Sequence, residues 1–221
     1  MQTLIDNGEV RRALAEINPA QQSVCTKSAN FSRAGYNGGF DSLFRESGPD
    51  RSISRSDVYA AFDKKFDEGV LTAFVWGFPT GGRGTAGARV IQNLMSIAAD
   101  VALAARNGCT AQRWEALNSH RGINFATTTK FLYFARVSAE ENPCLIFDAR
   151  VRKFLECNRP REFRETLAGL DNIRGYGLPY STYVSYLKEM SAASEALRCS
   201  ADALEMYMFR EAPGYRRPRH Q

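Results

Sequence analysis

Histidine occurs only twice in this chain, at His120 and His220, and lysine is far outnumbered by arginine. The five cysteines (Cys25, Cys109, Cys144, Cys157 and Cys199) stand apart, with no CxxC pair. That spacing argues against a structural zinc site and equally against a disulfide framework. No carboxylate cluster takes the place of such ligands, so no metal site is expected. Long apolar runs are missing too: none approaches the roughly 18 residues needed to span a bilayer. No membrane association is expected. The opening MQTLIDNGEVRRALAEINPAQQ carries acids and amides where a secretion signal needs an apolar segment, which predicts an intracellular, cytoplasmic protein.

What is present suits one domain, or one domain with an extension, of 221 residues with 44% apolar content. A net charge of +5 and a pI of about 9.0 favour an anionic partner. Leu4, Val10, Leu14 and Ile17 predict a first helix ended by Pro19. From Gln21 to Ser52 the composition turns to Ser, Asn, Gly and Arg, which predicts loop with an isolated helical turn. Residues 1–52 are therefore expected to be an N-terminal arm or linker, and 53–221 the body.

In the body, Ser54 or Ser56 can cap a helix with inner face Val58, Phe62 and Phe66, stopped by Gly69. The run VLTAFVWGF reads as a strand or a buried helix. Helical surroundings favour a helix ending at Gly77. Gly81, Gly82, Arg83 and Gly84 make a turn that is either a solvent loop or a loop whose backbone approaches a phosphate or a damaged base. The pattern from Ala86 to Asn107 predicts one long helix stopped by Gly108. Thr110 caps the next helix and Ser200 the last. With about eight helices and no convincing strand pair, the class is all-α.

The stretch from Trp114 to Leu155 concentrates the chemistry. His120, Arg121, Gly122, Ile123 and Asn124 form a tight turn between two helices. Such a turn presents unpaired N–H groups at the second helix start, where a phosphate oxygen binds. Asn124 is expected in the left-handed region that a glycine would otherwise fill. Lys130 is the one amine of an apolar helix, and Asp148 stands at the head of the helix that follows.

Gly122-Ile123-Asn124, the apolar helix, the loop with Pro143 and the apolar run into Asp148-Ala149-Arg150-Val151 resemble the helix-hairpin-helix superfamily of DNA glycosylases, in its 8-oxoguanine branch. More narrowly, WGFPTGGRG, TTKFLYFARV, PCLIFDARV and LEMYMFRE resemble a group of bacterial 8-oxoguanine glycosylase-like proteins, several of which occur near antiphage defence genes. The resemblance covers Leu71 to Glu211. It implies a helix-hairpin-helix glycosylase-like domain that excises an oxidised purine such as 8-oxoguanine from duplex DNA, possible lyase activity and no cofactor. It also implies a place in the bacterial cytoplasm, on the nucleoid.

For Asp148 the resemblance implies stabilisation of the positive charge that develops on the deoxyribose as the glycosidic bond breaks. Read from the residues alone, Asp148 is an N-cap, and the two readings coexist. Strand-cutting members keep a lysine four residues after the first turn glycine, where this chain has Ala126. Lys130 lies one helical turn further along the same face, either as a Schiff-base nucleophile or as a snorkelling or phosphate-contacting lysine. DNA contacts are expected from Gly122, Asn124, His120, Arg121, Arg150 and Arg83. A flipped base needs walls, and Trp76, Phe78, Tyr133 and Phe209, with Phe131 and Met206, are the candidates. Each also reads as core packing. The rival function is a glycosylase-derived module that binds nucleic acid or a nucleobase without cutting, as a defence accessory. A purely structural helical partner is the third reading.

Overall fold

A computed structural model describes residues 3–32, 36, 38–45, 48–82, 85–173 and 177–214. In chain order it contains α1 (Gly8–Ala15), β1 (Ser23–Lys27), α2 (Asp41–Phe44), β2 (Asp50–Ser54), α3 (Arg55–Lys64), α4 (Phe66–Gly77), α5 (Ala86–Gln92), α6 (Leu94–Asn107), α7 (Ala111–Ser119), α8 (Phe125–Phe134), β3 (Ser138–Ala139), β4 (Asn142–Pro143), α9 (Ala149–Asn158), α10 (Arg164–Asp171), α11 (Tyr180–Leu197) and α12 (Ala201–Glu211). The fold is all-α, and the named strands among the described residues form two short antiparallel pairs, β1–β2 and β3–β4. Among the described residues no single helix is long and apolar enough to cross a membrane.

VLTAFVWG lies within α4, with Phe78 as its C-cap, and every residue of the helix from Gly69 to Trp76 is buried. A helix apolar all round belongs in a core, and α4 packs against α3, α6 and α8. Gly69 does not stop α3. That helix ends when Lys65 turns extended, at φ −164° and ψ 136°. Gly69 sits inside α4, where a Cβ would meet the Phe62 ring at 2.4 Å, so its missing side chain sets the α3–α4 approach.

The predicted helix from Ala86 to Asn107 is two, α5 and α6, bent by 76° at Asn93. The Asn93 amide nitrogen donates to the Arg89 carbonyl (2.8 Å) and closes α5 locally. The apolar stripe runs on through the bend, which hid it from periodicity. Gly108, at φ +75°, ends α6 as expected.

Residues ahead of Ile53, expected as arm or linker, join the core. β1 pairs with β2 from Ser23↔Ser54 to Lys27↔Asp50. Each strand buries only one residue, Thr26 and Ile53, so the alternation that marks a half-buried strand is missing from the sequence. Phe31, Tyr36, Phe40 and Phe44 cluster, and Phe40 stacks on Phe74 of α4 at 5.9 Å. Gly81 is buried beneath this segment, its carbonyl accepting from the Tyr36 hydroxyl. The glycine loop is thus packed rather than solvated at that point. Arg83 and Gly84 lie outside the described residues.

Candidate active site

Helices α7 and α8 form a hairpin closed by residues 120–124. Trp114 anchors α7 by stacking on Tyr183 of α11 (4.7 Å) and donating its indole N–H to the Leu178 carbonyl (3.1 Å). Gly122 makes the turn at φ +91°, and a Cβ there would meet the Ala86 carbonyl and Arg89 Cβ at 2.9 Å. Asn124 is not left-handed. It is extended (φ −134°, ψ 172°) and caps α8, its Oδ1 accepting from the Thr127 amide and hydroxyl. One glycine supplies all the positive φ that this turn requires, so the asparagine is available as a cap. His120, expected to meet phosphate, bonds Asp100 of α6 instead (2.7 Å). Arg121 is exposed beside it.

Helical side chains lean toward the N-terminus of their helix. Lys130 does so: its Nζ reaches back one turn and donates to the Ala126 carbonyl (3.2 Å). The amine thereby lies 3.5 Å from Asp148 Oδ2, in a pair whose side chains are 7% and 15% exposed. Of the six lysines in the chain, Lys130 alone is buried. Asp148 divides its oxygens between two tasks. Oδ1 caps α9 by accepting from the Arg150 and Val151 amides (2.9 and 3.2 Å), and Oδ2 faces the amine.

The amine's stem runs along α4, where a Cβ on Gly77 would come within 2.9 Å of Lys130 Cδ. Gly77→Ala is therefore expected to displace the side chain while sparing the fold, because a flexible stem gives way more easily than backbone. In the variant the Lys130 Nζ should move from its 3.5 Å approach to Asp148 Oδ2, which a structure of the variant would check. An unchanged separation would mean that this contact does not position the amine.

Asp148 is delivered by the buried extended run Cys144–Phe147, which pairs with no strand among the described residues. The Cys144 amide donates to the Val137 carbonyl (2.8 Å), and side chains hold the residues that follow. The Tyr183 and Tyr186 hydroxyls donate to the Leu145 and Ile146 carbonyls (2.8 and 3.1 Å). Burial pushes both tyrosines well above the ordinary phenol range, which keeps them as donors. Thr129 Oγ1 accepts from the Phe147 amide (3.1 Å), tying the residue before Asp148 to the helix that carries Lys130. Thr129→Val keeps the shape and orphans that amide. It should cost about 1–3 kcal/mol, read as a lower urea midpoint at constant m; an unchanged midpoint would show that the bond contributes nothing.

A buried ion pair stands behind the site. Arg55 of α3 donates to Glu205 of α12 at 2.8 Å, each about 1% exposed, and to the Tyr133 hydroxyl, also at 2.8 Å. Tyr133 in turn donates to Asp202 (3.0 Å). The network fastens α8, which carries Lys130, to α12, which packs on the α9 headed by Asp148. Burial raises the Glu205 pKa, with Arg55 opposing the shift. Burial also lifts the Cys109 thiol to about 12 and the Cys144 thiol further, so neither is a thiolate near neutral pH.

Of the expected base walls, Trp76, Phe131, Tyr133 and Met206 are packed inside, with Arg55 stacked over the Trp76 and Tyr133 rings at 5.5 and 5.0 Å. Phe78 and Phe209 remain partly exposed. Phe78 follows Gly77 beside the lysine stem, and Phe209 lies under the exposed Arg150 guanidinium (5.0 Å), two residues from Asp148. Arg152 meets Glu156 at 2.7 Å. Sequence reasoning missed Thr129, Arg55 and Glu205. Thr129 gives no signal within a TTT run, whereas an arginine and a glutamate in apolar helical faces were a legible one.

A family model described as "Putative 8-oxoguanine DNA glycosylase OGG-like protein" matches residues 18–209. The match takes in the β1–β2 pair, helices α2 to α11 and most of α12, and leaves out α1. No curated protein and no solved structure matches.

Proposed function

The chain belongs to the OGG-like family, and from that premise we propose that it is a DNA glycosylase of the helix-hairpin-helix type. In this reading it removes an oxidised purine such as 8-oxoguanine from duplex DNA, with Lys130 as nucleophile and Asp148 as electrostatic partner. The observation that carries the proposal is the meeting of the only buried lysine with the helix-capping aspartate, 3.5 Å apart.

One ammonium proton of Lys130 passes through the Asp148 carboxylate to the departing base, and the lone pair so freed attacks C1′ of the flipped nucleotide while the glycosidic electrons leave with that base. A second proton passes from nitrogen, by way of water, to the ring oxygen as the sugar opens to a protonated imine on Nζ. The Asp148 carboxylate lies where positive sugar charge would develop, in a site largely closed to water. Phe78 and Phe209 are the walls that remain available to a base, and the Arg150 guanidinium over Phe209 would have to move aside for it. The hairpin's first-turn N–H groups and Arg121 would hold backbone phosphate. The bacterial cytoplasm is the proposed compartment.

The test is a borohydride trap on an 8-oxoguanine duplex, with a parallel assay of base release. A covalent protein–DNA band is expected. Base release without a band would replace the amine with water as nucleophile. Neither signal across a panel of oxidised purines would sink the enzyme reading. The second reading, a module that binds without cutting, is favoured by the packing of Trp76 and Tyr133 into the core. It predicts salt-dependent DNA affinity with no base release.

A further inference from the structure

Phe125 stands five positions before Lys130, about 140° around an α-helix, so α8 shows a second face turned from the amine. On that face an open groove of about 590 Å³ runs between the hairpin and the chain entering α11. Trp114, Phe125 and Leu178 give it an apolar floor, and the Trp114–Leu178 hydrogen bond ties its two sides together. Its rim carries Glu115, Asn124 and Asn172. The Asn124 oxygen is taken by Thr127, which leaves the amide nitrogen as donor. The Asn172 nitrogen donates to the Ala168 carbonyl (2.9 Å), which leaves its oxygen as acceptor. Glu115 adds an exposed carboxylate.

An apolar lining beside one donor and two acceptor groups suits a planar heterocycle with N–H groups along its edge. The carboxylate disfavours a phosphate. Asn124 belongs both to the groove and to the helix start proposed to hold backbone phosphate, so a base attached to a strand held there is within reach. We propose that this groove receives an unpaired nucleobase, of guanine-like edge, from the strand gripped by the hairpin. The proposal rests on the DNA reading above and concerns a site distinct from the Lys130–Asp148 pair.

Three fluorescent duplexes without any lesion test it by anisotropy at one fixed salt concentration: fully paired, with one extra unpaired deoxyguanosine, and with an abasic residue in that extra position. The wild-type chain should bind the deoxyguanosine bulge at least about fivefold more tightly than the abasic bulge, as base stacking would provide. Glu115→Ala/Asn172→Ala should erase that preference and leave affinity for the paired duplex unchanged. Both positions are exposed, and Glu115→Gln, which removes only the charge, should reduce the preference without touching packing. Equal wild-type affinity for the two bulges would overturn the proposal, as would a preference that survives the double substitution. Equal bulge affinities together with saturable binding of free deoxyguanosine would assign the groove to a soluble nucleoside and overturn the strand-borne reading. No bond is broken in these duplexes, so the result stands apart from success or failure of base release.

Discussion

Lys130→Gln is expected to remove the covalent adduct altogether and to slow base release by at least about 10³-fold, the scale on which loss of a nucleophile is felt. Glutamine retains an N–H that can donate toward Ala126 and Asp148, so the fold should survive, but its amide nitrogen has no lone pair to give to C1′. The other lysines are exposed, at Lys27, Lys64, Lys65, Lys153 and Lys188, and none lies in the buried pair. A trapped band of undiminished intensity in the variant would remove Lys130 from the mechanism. Loss of the band with release intact would make the protein a monofunctional glycosylase that activates water.

Asp148→Asn should lower single-turnover release by about 10²–10³-fold, as removal of one preorganised electrostatic group does elsewhere. The substitution separates charge from structure. Asparagine caps helices about as well as aspartate, so the bonds from the Arg150 and Val151 amides can persist and α9 should keep its start. DNA affinity should accordingly hold while the chemical step falls, the signature of an interaction made in the transition state. Equal losses in binding and release would instead reduce Asp148 to its capping role.

How much of this was legible in the sequence depends on how local each feature is. The caps at Ser54, Thr110, Asp148 and Ser200 and the stop at Gly108 are all where short-range rules put them. The role of Asn124 is not local, because a turn asparagine serves equally well as a left-handed residue or as a cap, and only the position of Gly122 decides between them. At the bend at Asn93 the local side-chain bond to Arg89 acts together with tertiary contacts. Gly87 beside Tyr36 and Gly122 beside Ala86 and Arg89 bring α5 against the N-terminal segment and the hairpin, at contacts a Cβ would forbid.

The site divides in the same way. Lys130 and Asp148 stand out by residue type, and the backward lean of a helical lysine accounts for its arrival at the level of Ala126. Their actual meeting depends on Thr129, Tyr183 and Tyr186, which hold an extended run that no local pattern marks. The Arg55–Glu205 pair joins residues 150 positions apart. The aromatics illustrate the converse: at helical spacing a stripe of rings was more readily core than pocket, and Trp76 and Tyr133 are core.

The central claim is that the amine of Lys130 is the group that attacks the sugar. Its most direct test is to reduce the wild-type adduct with borohydride, digest it with nuclease and trypsin, and find the modified peptide by mass spectrometry. The account predicts a sugar remnant on Lys130, within an uncleaved peptide running from Gly122 to Arg136. A remnant on the N-terminal amine or on any of the five exposed lysines, with Lys130 unmodified, would contradict it.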